Sequence, residues 1–293
     1  MANLRIIRRR IRSVQSTAKI TKAMELIAAS KMRRAQSSAV SSRPYAERMR
    51  WVLADLSESI TELGEGLTHP FLERREPPQN ILLVHMTPDR GFTGGMNSNL
   101  NRAAVARVLD ESRESRRATI VAVGRKGRDL FRRNRQPLVA EFIGISEYPT
   151  YEETRPISRI IMDEYLEERA DLVLLHFPQF VNTVTQRPTF RQLLPIIPEA
   201  DRATEAVDYI YEPSRQAVLD QVLPRYIEIQ VYAAILELKA SEQSARMVAM
   251  RNATDNANEL IQDLTLEYNK ARQDQITREL LDIVGGAEVM HSA

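Results

Sequence analysis

The chain has 293 residues with 43% hydrophobic and 27% charged side chains, a folded rather than a disordered composition. Cysteine is absent, which excludes disulfides, thiolate catalysis and cysteine-type zinc sites, and the four histidines (His69, His85, His176, His291) form no metal-ligand spacing. No apolar run approaches the roughly 20 residues that span a bilayer, and the N-terminus lacks the apolar core of a signal peptide.

Glycine and proline divide the chain. None lies between Met1 and Arg43 and none between Pro224 and Gly285, so both ends read as long helices around a mixed centre. In the N-terminal helix Leu4, Ile7, Ile11, Val14, Ala18 and Thr21 keep a 3-4 spacing, continued by Met24, Ala28 and Met32. The same segment is basic: Arg5, Arg8, Arg9, Arg10, Arg12, Lys19, Lys22, Lys31, Arg33 and Arg34 stand against one acid, Glu25. A nucleic-acid arm would interleave aromatics, and a removable leader needs no apolar seam. The block therefore reads as a coiled-coil strand whose basic outer face meets an acidic protein.

The centre alternates strands and helices, which implies a partly parallel sheet. Strands are expected at Ile81–Met86, Thr119–Val123 and Asp171–Phe177, and helices near Asn97–Ser115, Arg125–Arg133 and Thr154–Arg169. Val181–Gln186 and Thr189–Ile196 alternate about Arg187-Pro188 like a hairpin, and Val207–Tyr211 is a last candidate strand. Thr87–Gly95 sits where a phosphate-cradling loop would. It matches neither common glycine motif, and a turn with positive φ at Gly91, Gly94 or Gly95 is the simpler reading. Gly124-Arg-Lys-Gly-Arg likewise reads as a turn opening a helix. The pairs Glu152/Glu153, Asp163/Glu164 and Glu167/Glu168 have no nucleophile or base set against them and read as a solvated face.

The C-terminal helix, Arg225–Val284, would be about 90 Å long. A 4-3 stripe runs through Ile229, Ala233, Leu236, Ala240, Gln243, Met247, Met250, Thr254, Ala257, Ile261, Leu264, Tyr268 and Ala271, the spacing of a coiled coil. Asn252, Thr254, Asp255, Asn256 and Asn258 interrupt it as either a tolerated polar face or a partner surface. Past Ala271 the stripe lapses, and Ile276, Leu280, Leu281, Ile283 and Val284 form a new apolar cluster. The two terminal helices pair most simply as an antiparallel coiled coil. The longer one then ends in an apolar tip that another protein must cover. The expected division is 1–60 and 213–288 as coiled-coil helices and 78–212 as the α/β domain.

Several segments resemble the gamma subunits of F-type ATP synthases. At the N-terminal end they are Ile11-Arg-Ser-Val, Ile20-Thr-Lys-Ala-Met and Ala28-Ala-Ser-Lys-Met-Arg-Arg-Ala-Gln. At the C-terminal end they are Ala245-Arg-Met-Val-Ala-Met-Arg-Asn-Ala-Thr-Asp-Asn-Ala, Leu266-Glu-Tyr-Asn-Lys-Ala-Arg-Gln and Gln275-Ile-Thr-Arg-Glu-Leu. Asp89-Arg-Gly, Gly94-Gly-Met-Asn-Ser-Asn, Val123-Gly-Arg-Lys-Gly, Phe180-Val-Asn-Thr-Val-Thr-Gln and Tyr209-Ile-Tyr-Glu-Pro extend the resemblance through the centre. It implies a shaft turning inside a ring of three alpha and three beta subunits, on a Rossmann-like α/β foot that meets epsilon and the membrane c ring. It implies no active site, no cofactor, no nucleic acid and membrane attachment only through partners. Arg272, Gln273 and Thr277 match positions at the beta-subunit catch loop, and Met24 and Arg246 match positions near the acidic beta-subunit lever. Tyr209 and Glu212 match positions at the c-ring foot. Pro88 and Thr93 stand where the family often has Ser and Cys, and thiol regulation is impossible without cysteine. Met1 opening directly on the motif suggests a bacterial protein on the cytoplasmic face of its membrane.

Overall fold

The structure, a computed structural model, describes residues 4–62, 69–197, 212 and 214–291. Ten elements follow in order: α1 (Leu4–Glu62), β1 (Asn80–Met86), α2 (Met96–Arg113), β2 (Arg117–Val123), α3 (Arg125–Arg133), β3 (Leu138–Phe142), α4 (Tyr151–Leu166), β4 (Leu172–Phe180), β5 (Gln186–Leu194) and α5 (Arg215–His291). They fall into two compact units. One joins α1 up to Ala28 with α5 from Met247 onward, and the other spans Ala29–Arg246.

The second unit, the body, is a five-stranded sheet in the order β3-β2-β1-β4-β5. β1 pairs in parallel with β2 and β4, β2 with β3, and only β5 is antiparallel, on β4. Strand alternation sends Ile81 and Leu83 to one face and Leu82, Val84 and Met86 to the other. Both sets are buried, because Ala104, Val108 and Phe131 of α2 and α3 cover the first, and Ile157, Ile161, Leu223, Ile227 and Val231 of α4 and α5 cover the second. Runs of apolar strand residues such as Ile81–Val84 are what a parallel sheet covered on both faces requires.

Four expectations change here. β3 is an added edge strand: it is short, follows Pro137, and buries no residue fully, so it lacks the apolar run that marks a central strand. The hairpin turns at Val181–Thr185, where the Asn182 carboxamide oxygen accepts from the Val184 and Thr185 N–H groups. Arg187 and Pro188 lie inside β5, where Pro188 faces Pro178 on the sheet edge, a position that tolerates a missing donor. Pro44 and Pro224 fall inside α1 and α5 rather than ending them. Val207–Tyr211 lies outside the described residues.

In the body α5 is buried around most of its circumference, with Gln230, Val231, Ile235 and Leu238 as covered as Ile229, Leu236 and Ala240. The 4-3 stripe from Ile229 to Gln243 is therefore one buried strip of a helix that also sets Ile227, Val231, Ala234, Ile235 and Leu238 into the sheet core.

The first unit is an antiparallel helix pair. Its cross-helix contacts run Arg8 to Tyr268, Thr21 to Thr254 and Glu25 to Arg251, so the partner number falls as the first rises. Ile7, Ala18, Thr21 and Ala28 are buried, as are Met250, Thr254, Ala257 and Leu264, while Ile11, Val14, Ile261 and Tyr268 are half-buried between them. Extending the Thr21–Thr254 register along both stripes brings Ala18 level with Ala257 and Leu4 level with Ala271. Leu4, the first described residue of α1, is thus level with the last position of the stripe.

Candidate functional site

Every side chain from Arg272 to Val284 is exposed. Ile276, Leu280, Leu281, Ile283 and Val284 are 44%, 57%, 65%, 68% and 61% accessible. On a helix of 3.6 residues per turn, Gln273, Thr277, Leu280 and Val284 share one face, and Arg272, Ile276 and Ile283 adjoin it. The structure thus collects eight of the sequence-selected residues on one uncovered helix end. Fully burying such apolar side chains contributes roughly 1.5–3 kcal/mol each, so a sleeve around this end would bind it strongly.

The other selected residues lie elsewhere. Met24 is half-buried in the first unit. Arg246 belongs to the body, where its guanidinium donates to Glu242 Oε1 at 2.7 Å, Gln243 Oε1 at 3.1 Å and the Gly91 carbonyl at 3.3 Å. With 12% of its side chain accessible, it ties α5 to the loop after β1. Glu212 is exposed, and Tyr209 lies outside the described residues. Of the polar stretch in α5, Thr254 is buried in the seam and Asn252, Asp255, Asn256 and Asn258 face outward.

The sequence reading passed over Glu25. It is 4% exposed, and its carboxylate accepts from Lys22 Nζ at 3.0 Å and Arg251 Nε at 3.2 Å. The Lys22 hydrogen bond, with that of Arg251, holds its pKa below the ordinary carboxylate value against the opposing effect of burial. The signal was present: the strict stripe Leu4, Ile7, Ile11, Val14, Ala18, Thr21 continues to Glu25, not Met24.

The Thr87–Gly95 loop is closed by the chain's own groups. Asp89 accepts from the Arg125 N–H at 2.8 Å and the Gly144 N–H at 2.9 Å, Thr87 Oγ1 from the Gly127 N–H at 2.8 Å, and the Pro88 carbonyl from the Lys126 N–H at 3.2 Å. The Asp89 carboxylate thus occupies the N-terminus of α3, the helix opened by Gly124-Arg-Lys-Gly-Arg, where an anion would otherwise bind. Positive φ occurs at Gly94 and at Phe92 within this loop. The acidic pairs face arginines: Glu152 pairs with Arg155, and Glu164 and Glu167 with Arg169.

A buried histidine pair was also missed, because its members come from separate strands. His85 and His176 are cross-strand partners on β1 and β4, both fully buried. Their Nδ1 atoms are 2.8 Å apart, and His85 Nε2 donates to Asn101 Oδ1 at 3.0 Å. With both rings kept neutral by burial, that donation makes His85 Nδ1 the acceptor and His176 Nδ1 the donor, and His176 Nε2 is buried without a hydrogen-bond partner. Burial pushes the pKa of His85 down to about 4 and, with the nearby His85, that of His176 down to about 2. Both folded values lie below the unfolded value near 6.5, so the unfolded chain binds more protons below that pH. Body stability should be full above pH 6.5 and fall as the solution is acidified toward pH 4, by about 1.4 kcal/mol per pH unit for each histidine. Thermal unfolding of the body at pH 7, 6 and 5 checks this. A flat profile would mean the rings are not buried as neutral species.

These features define a structural subunit of a larger assembly, with an uncovered apolar helix end. Among the described residues no helix is long and apolar enough to cross a membrane. Residues 3–290 match the family described as ATP synthase. The chain is 53% identical over 290 residues to the ATP synthase gamma chain of Dehalococcoides mccartyi strain BAV1, covering 99% of this chain and all of that one. It is 47% identical to that of Herpetosiphon aurantiacus, with 99% and 100% coverage. Among solved structures it is similar to a chain of the Tetrahymena thermophila mitochondrial ATP synthase central stalk and c ring (25% identity, TM-score 0.60, 80% of this chain and 99% of that chain). A Euglena gracilis mitochondrial ATP synthase chain shares the fold (21% identity, TM-score 0.71, 99% and 95% coverage). The chain belongs to the ATP synthase gamma chain family, whose members are non-catalytic stalk subunits.

Proposed function

We propose that this chain is the central rotor stalk of an F-type ATP synthase. It couples ion flow through a membrane c ring to ATP synthesis or hydrolysis at the beta subunits by rotating inside an alpha3beta3 ring. The observation that carries the reading is the exposed end of α5, where Ile276, Leu280, Leu281, Ile283 and Val284 have no cover in the described chain. Residues 1–60 and 213–288 would supply the rotor helices and residues 78–212 the foot, with Tyr209 and Glu212 toward the c ring and epsilon alongside. The subunit would reach the cytoplasmic face of a bacterial membrane only through those partners.

Catalysis would remain on the beta subunits, with this chain acting by differential contact. A surrounding site changes state only when its contacts with the shaft differ in free energy between its open and closed forms. Shifting one site nearly fully requires about 5.5 kcal/mol. Two or three charge-assisted hydrogen bonds from Arg272, Gln273 and Thr277, with packing on the apolar end, reach that order. Arg246 is committed to Glu242 and Gly91, so its contribution at the lever would be to hold α5 against the loop beneath. Affinity purification of the tagged chain from its native membrane tests the proposal. Alpha, beta and epsilon subunits are expected to accompany it, and a chain recovered without them would refute it.

A further inference from the structure

The seam of the helix pair is poor in features that fix its level. Ala18 and Ala28 on α1 and Ala257 on α5 are small, flat side chains, which pack nearly as well one heptad up or down. Besides the exposed contact of Arg8 with Tyr268, two adjacent buried layers differ. In one, the Thr21 and Thr254 hydroxyls meet at 2.7 Å inside the seam, one donating across the pair and the other to a carbonyl of its own helix (Ala18 or Met250). In the next, the buried Glu25 carboxylate takes Lys22 from its own helix and Arg251 from the other.

We propose that Thr21–Thr254 and Glu25–Arg251 form a register lock that stops the two shaft helices from sliding along each other. Lys22 stays with Glu25 in any register because both are on α1, but Arg251 does not. A slip of one heptad sets Glu25 level with a serine or an asparagine (Ser244 or Asn258) and leaves its second oxygen without a cation. It also separates the two threonines, so two hydroxyls lose each other inside an apolar seam. Each loss falls only on the slipped states, which makes the polar layers a discriminator between registers rather than an adhesive. On the rotor reading, on which this consequence rests, the lock makes the pair transmit twist without shear.

The absence of native cysteine gives a clean background for the test. In the purified full-length chain, Ala18→Cys with Ala257→Cys reports the native register. Ala18→Cys with Met250→Cys or Leu264→Cys reports slips of one heptad. In the native register these second pairs are about 10 Å apart along the axis, beyond the reach of a disulfide. The lock is removed by Thr21→Val, Thr254→Val and Glu25→Leu together, changes that retain an apolar, helix-compatible seam. The parent is expected to form only the 18–257 disulfide. The unlocked chain should keep its helix content by circular dichroism while the slipped disulfides rise roughly a hundredfold. Slipped disulfides at the parent level would overturn the proposal. So would a collapse of helix content, since the polar layers would then hold the helices together rather than set their level. Glu25→Gln alone, which keeps a hydrogen-bonding oxygen, should give an intermediate slipped fraction, and a fraction equal to the parent's would count against the ionic half of the lock. The test needs no partner subunit, so its failure is separate from failure of the rotor reading.

Discussion

Alanine at both Arg272 and Gln273 should lower the ATP turnover of the assembled complex by roughly tenfold to a hundredfold, with the subunit still folded. Both side chains are exposed, and neither has a hydrogen bond within the described chain. Surface changes of this kind alter stability by only about ±0.5 kcal/mol, and alanine is the better helix former. A loss of turnover must therefore come from contacts with another protein. Hydrogen bonds to a charged group contribute about 1.5–3 kcal/mol each, and about 1.4 kcal/mol corresponds to a tenfold change. Because the contact must differ between states of the beta site, the loss should appear at saturating ATP and not merely as weaker nucleotide binding. Turnover equal to that of the parent in correctly assembled complex would remove these residues from the coupling contact.

The helix pair was legible residue by residue. The stripes Leu4–Thr21 and Met250–Ala271 mark the buried and half-buried positions of the first unit, because a two-helix seam has one apolar side and the 3-4 spacing reports it directly. Between Ile229 and Gln243 the stripe marks only part of what is buried, because Ile227, Val231, Ala234, Ile235 and Leu238 on another side of α5 join the sheet core. Within the body, apolar runs revealed β1, β2 and β4, whereas β3 and the true turn at Val181–Thr185 depend on edge position and an Asn182 side-chain bond. The exposed tip was legible because its apolar residues continue after the seam spacing stops. Arg246 was selected by resemblance alone, and its ion pair with Glu242, four residues earlier on the same helix, had not been read from the sequence. His85 and His176 are 91 residues apart, and only the parallel β1–β4 register joins them.

A methyl group at position 124 should destabilise the body by about 4 kcal/mol or more. Gly124 has φ +95°, a conformation that a side chain adopts only with strain, and an added Cβ would lie 1.7 Å from the Thr87 carbonyl oxygen and 2.7 Å from its carbon. The clash has no cheap relief. The Thr87 N–H donates to Val123 at 2.8 Å, the Gly124 N–H donates to Phe142 at 2.7 Å, and the Lys126 N–H returns to Pro88 at 3.2 Å. Moving either backbone therefore breaks hydrogen bonds that join β1, β2 and β3. Three residues on, a Cβ at Gly127 would meet the His85 ring at 2.5 Å, so α3 cannot shift toward the sheet to make room either. Gly91→Ala in the same loop is the control, since nothing lies within 4 Å of its added Cβ. Thermal unfolding and amide-exchange protection of β1 and β2 should fall sharply for Gly124→Ala and stay near the parent for Gly91→Ala. If Gly124→Ala melted with the parent, the strand-to-loop crossing would be softer than its hydrogen bonds indicate. A retained Arg246–Gly91 contact would then have to be explained without a rigid loop beneath it.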